Sequence, residues 1–325
     1  MIQDCIVEKC LNVLDGGAVS VTGSSGPQFI DCVITDNISD ERGGAVYCGA
    51  GTTATFDNCT VTGNVSGLGA GGIYCDSGAV ISMFDSRLEN NESLDMDAGG
   101  LYADDSNVYI ENSTFKGNTA YYSGGGIYLR DCPQVEIYDS TVSGNYAYDY
   151  GGGIYCRNAG SALIHNCLIV GNGVYALGGG GVYLRSSSPE ISSCTIEGNF
   201  TEDSYSLGGG VYCYDGSNAD IRDCIFSRNS RYAVVTDSGY GTVPSPSVEN
   251  CLFYDNSPAD IRVESDSSEY TGAVSINGID SSFDGNIDGD PMFVKGPSGE
   301  YYLSNSAAGQ LLDPQGVLDP NNSTS

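Results

Sequence analysis

The chain has 325 residues, a net charge of −30, 46 Gly, 23 Tyr, 13 Cys and only 12 Lys and Arg together. So few basic residues argue against nucleic-acid binding, which needs clustered Lys and Arg against phosphates, and against attachment to an anionic membrane. No apolar run reaches the roughly 18 residues of a spanning helix, so membrane insertion is not expected.

Repeats begin at once. The pattern Cys/Ser-x-apolar-x-x-Asn runs from Cys32 to Asn37 and returns in every following block. Its closing residue falls at Asn37, Asn64, Asn91, Asn118, Asn145, Asn172 and Asn199, always 27 apart, then at Asn229 and Asn256. Cys5 and Cys10 extend the grid backwards, and Asn286 continues it more weakly. A second anchor, Gly-Gly/Ala-apolar-Tyr, carries Tyr47, Tyr74, Tyr102, Tyr128, Tyr155, Tyr183 and Tyr212. A third places apolar residues two apart ahead of each Cys/Ser, as in Val108/Ile110 and Val135/Ile137. Three period-2 segments separated by Gly, Asn or Asp are three short strands, one triangular coil. At about 4.8 Å between stacked strands, some ten coils make a rod on the order of 50 Å long.

The chain is therefore all-β, a right-handed parallel β-helix with about ten coils over residues 1–286, followed by an exit segment and tail over 287–325. The recurrent Asn is expected to form a structural ladder at a corner, its amide bonding up and down the stack. Alternation turns Tyr128, Tyr155 and Tyr183 away from the core, beside Arg130, Arg157 and Arg185. That column reads as a Tyr/Arg face able to stack on sugars or grip carboxylates. Asp76 and Asp104 share the Arg register, so pairing between coils is also expected. The loops after each Asn gather further tyrosines, among them Tyr121, Tyr122, Tyr146, Tyr148, Tyr150, Tyr175 and Tyr205, on one side of the solenoid.

The cysteines stack with parallel Cβ directions, which favours buried free thiols over disulfides. The single histidine, His165, lies in an outward column without the companions of glycan-cleaving chemistry, so catalysis is not expected. Asp284, Asn286, Asp288 and Asp290 follow the opening of a calcium loop, although Lys295 stands where an EF-hand has Glu. Ca2+ is the one cofactor the sequence suggests.

Gly43-Gly44-Ala45-Val46, with Phe115 to Asn118 and Val142 to Asn145, resembles the repeats of chlamydial polymorphic outer-membrane proteins and of bacterial extracellular β-helix proteins. The resemblance implies a secreted or cell-surface adhesin that contacts glycans or surface proteins. The segment from Asn286 to Val294, continued at Ser306 to Gln310, resembles the exit of larger modular β-helix proteins. Two other classes stay open: a structural subunit that self-associates end to end into fibres or surface layers, and a polysaccharide lyase or hydrolase.

Overall fold

The computed structural model describes residues 1–239, 241–263, 267–279, 282–291, 293–295 and 301–303. Its strands stack in parallel register into four long sheets. Sheet I has ten strands, from Ile2–Gln3 to Ser247–Glu249, and sheet II has eleven, from Ile6–Glu8 to Ile287–Asp288. Sheet III has eight strands of two residues each, from Leu11–Asn12 to Phe200–Thr201. Sheet IV runs from Val19–Val21 to Ile261–Val263 and ends on the antiparallel strand Ser268–Tyr270. The architecture is a right-handed parallel β-helix of about ten turns, with a fourth short strand after each Asn from Asn37 to Asn199 in addition to the expected three.

The register repeats the sequence period: Val80 to Phe84 pair with Thr53 to Asp57 below and Asn107 to Glu111 above. Inward residues consequently stack on their equivalents. Phe29 and Phe56 lie 4.7 Å apart and nearly parallel, as do Phe226 and Phe253 at 5.3 Å. Each such buried apolar side chain contributes about 1.5–3 kcal/mol, which is why the inner columns keep their identity. All thirteen cysteines are free, and eleven are buried. Burial pushes Cys156 and Cys213 up to about 12, so these thiols are inert core hydrophobes.

Corners are built by side chains that suit unusual backbone. At the corner between sheets I and II, Asp31, Asn58, Asp85, Asn112, Asp139 and Asn166 all hold φ near +50°, a region Asn and Asp tolerate. Asp and Asn alternate up this column, and each Asn amide donates to the Asp below, as Asn58 does to Asp31 at 2.6 Å. From Asp31 to Asn166 like charges are thereby not stacked directly. At the corner between sheets II and III stands the Asn file. Asn91 donates both its backbone N–H and Nδ2 to Asn118 Oδ1, at 3.0 Å each, and Nδ2 also reaches the Val61 carbonyl. The same bonds recur from Asn37 to Asn229. Cys10 N starts the file on Asn37, and Asp260 ends it by accepting from Asn256.

Ahead of sheet IV the Gly-Gly segments pass so close that a Cβ on Gly125 would meet the Gly152 carbonyl at 2.4 Å. Beyond the coils, the helix Ala273–Ile276 and Ile287–Asp288 close the C-terminal end, and Phe293–Lys295 pairs antiparallel with Tyr301–Leu303. The segment Ser306 to Gln310 lies outside the described residues. Asn286 does not continue the Asn file. Ile287 pairs with Leu252, so Asn286 stacks on Cys251, in the Cys/Ser column.

Candidate interaction surface

Sheet IV carries the tyrosine column that alternation turned outward. The structure corrects the expectation of an open Tyr/Arg face. Tyr128, Tyr155 and Tyr183 are only 3%, 3% and 2% exposed, because the Gly-rich loops fold back over them and form a second core with Ala70, Ala98, Tyr150 and Leu207. Tyr74, Tyr102 and Tyr128 stack face to face at 4.6 and 4.8 Å, and the stack turns edge-on at Tyr155. Burial raises their hydroxyl pKa values, that of Tyr155 to about 12.

The arginines of this register serve the same buried ladder. Arg130 Nε donates to Asp104 at 2.8 Å and its guanidinium lies 5.5 Å from the Tyr102 ring centre. Arg157 and Arg185 stand one coil above, beside the Tyr128 and Tyr155 hydroxyls, and lower the cost of ionising them. Arg42 sits 4.8 and 5.1 Å from the Tyr47 and Tyr74 centres while binding Asp15 and Asp76. Pairing of Arg with Asp between coils thus occurs at Asp76 and Asp104.

The outer face of sheet I holds the single histidine. His165 Nδ1 lies 3.0 Å from Ser192 Oγ, which in turn lies 3.1 Å from Glu190 Oε1. The three side chains form a hydrogen-bonded chain on the surface, in which Ser192 donates to Glu190. Arg222 binds both Glu190 and Asp220, which completes a surface charge network.

At the expected calcium loop the oxygens are directed at backbone amides. Asp284 accepts from Gly285 N, Asn286 Oδ1 from Cys251 N at 2.9 Å, and the Asp288 carboxylate from Ala273 N at 2.7 Å. Asp290 is exposed. Among the described residues, no group of three acidic, His or Cys side chains converges as a metal site requires.

What stands open is the ridge formed by the loops after sheet III. Tyr121 N bonds to the Ser93 carbonyl and Tyr175 N to that of Ala147, which places Leu94, Tyr121, Tyr148, Tyr175 and Glu202 in one file at 27-residue spacing. Tyr121 and Tyr148 lie 6.2 Å apart at 11°, Tyr148 and Tyr175 4.8 Å apart at 22°, and Tyr122 meets Tyr121 edge-on. These four rings remain 42–51% exposed, and Tyr205 reaches 90%. Leu68, Leu94, Met96 and Leu177 add exposed apolar surface on the same loops. The sequence signals for this ladder are the tyrosine-rich composition of the loops and the 27-residue spacing of Tyr121, Tyr148 and Tyr175.

The family model for the right-handed β-helix region matches residues 1–123 and 100–278. No curated protein and no solved structure was found to match the chain.

Proposed function

Because the chain belongs to the right-handed β-helix family, whose stacked coils present one long surface, we propose that it is a non-catalytic binding module displayed outside the cell. Its contact surface is the ridge of Tyr121, Tyr148 and Tyr175. One observation carries this reading: three equivalent aromatic rings, in register on successive coils, are left half exposed. The adjacent ladder on sheet IV is covered by loops, so this fold has a ready means of burying such rings. An uncovered apolar strip of this kind marks a contact site. Tyrosine suits that use, since it brings large area at low entropic cost.

The test is a binding screen on arrayed glycans and cell-surface proteins, run with the wild type and a Tyr121→Ser, Tyr148→Ser, Tyr175→Ser variant. The variant is expected to fold normally by circular dichroism and to lose the captured ligands. Unchanged capture by the variant would discard the ridge.

End-to-end assembly has less support as a reading. The helix Ala273–Ile276 and the antiparallel strand Ser268–Tyr270 lie over the C-terminal coils, where a second rod would have to stack.

A further inference from the structure

Resting on the ridge as contact surface, we propose that its occupant is an arginine-bearing extended segment of a partner protein. The molecule's own buried tyrosines supply the precedent. On the buried ladder three guanidiniums meet the same pair of groups, a tyrosine ring and a carboxylate, whereas Arg185 lies over the Tyr214 ring among tyrosines alone. Arg42 has Tyr47 and Tyr74 with Asp15 and Asp76, Arg130 has Tyr102 with Asp104, and Arg262 has Tyr232 with Glu269. A cation over a ring and a charge-assisted bond to a carboxylate reinforce one another there.

The exposed ridge repeats two of those three components. Its loops, 92–98, 119–124, 146–151, 173–178 and 200–207, carry Glu92, Asp95, Asp149, Glu202 and Asp203 along with the tyrosines. They contain no Lys, Arg or His. The guanidinium is the missing component, and a partner has to bring it. The net charge of −30 would steer a cationic partner in and repel acidic glycans.

The experiment titrates octa-arginine, octa-lysine and a neutral cello-oligosaccharide against the wild type at about 0.15 M salt, which screens diffuse attraction. A Tyr121→Ser, Tyr148→Ser, Tyr175→Ser variant and an Asp149→Asn, Glu202→Gln, Asp203→Asn variant are run alongside. Octa-arginine is expected to bind the wild type about tenfold more tightly than either variant, and more tightly than octa-lysine. Equal binding of octa-arginine to wild type and tyrosine variant would overturn the proposal, as would preference for the oligosaccharide. If the tyrosine variant still loses ligands in the array screen, only the partner chemistry fails; if it keeps them, the ridge itself fails.

Discussion

The molecule carries two tyrosine ladders with the same 27-residue origin and opposite fates. On sheet IV, Tyr102, Tyr128, Tyr155 and Tyr183 stack under the loops with their hydroxyls held among arginines and acids. On the loops themselves, Tyr121, Tyr148 and Tyr175 stack at 6.2 and 4.8 Å and remain about half exposed. Periodicity makes a ladder, but what passes over it decides whether the ladder is a core or a surface. Loop residue Tyr150 packs onto the buried set, while Tyr148 on the same loop stands outward.

The sharpest contrast is energetic. Replacing Tyr155 by Ala opens a cavity between Tyr128 and Tyr183, and the loss is about 3–5 kcal/mol in urea or thermal unfolding. Tyr155→Phe keeps the packing and is expected to restore most of it. If Tyr155→Ala costs no more than a surface substitution, the second core is not a core.

Asp97 tests the boundary between the ladders. Its largely buried carboxyl accepts from Ser123 N at the base of the ridge, and burial raises its pKa to about 6. An unfolded Asp titrates near 4, so between about 4 and 6 the folded state holds more protons and stability falls as pH rises. Above that window the buried charge costs on the order of 2 kcal/mol. Asp97→Asn keeps the acceptor for Ser123 and removes the charge. We expect the variant to be the more stable protein at pH 8 and to match the wild type near pH 4, read by urea unfolding. Parallel pH profiles for the two would show that Asp97 is solvated.

Much of this was legible in the sequence, for a physical reason: inward columns stack on themselves, so selection on one coil is repeated on the next. The Asn file, the Cys columns and the apolar pairs are all of this kind. Alternation also stated that Tyr128 leaves the main core, which it does. It could not state what lies above it, because loop paths over sheet IV follow no period of two. The strands of sheet III escaped notice since two residues carry no alternation at all. Asn286 misled because a register inferred from one residue type cannot see the longer excursion between Cys251 and the last coil strand, which puts it in the Cys/Ser column. The left-handed corner is legible as the Asp/Asn alternation from Asp31 to Asn166, which backbone conformation and the Asn-to-Asp hydrogen bonds together explain.

The smallest effect closes the contrast. Tyr148 is 48% exposed and stacks between Tyr121 and Tyr175, so its removal deletes two ring contacts of about 0.5–1 kcal/mol each at most, largely offset by wetting of its neighbours. Tyr148→Ser is therefore expected to shift unfolding by less than about 1 kcal/mol. The same substitution interrupts the ladder at its centre, where a partner would touch three coils at once. Stability and binding must then part company at this residue: near-native unfolding with clear loss of captured ligand. A variant as destabilised as Tyr155→Ala would mean that the outer ladder holds the coils together, and the difference between the two would reduce to depth alone.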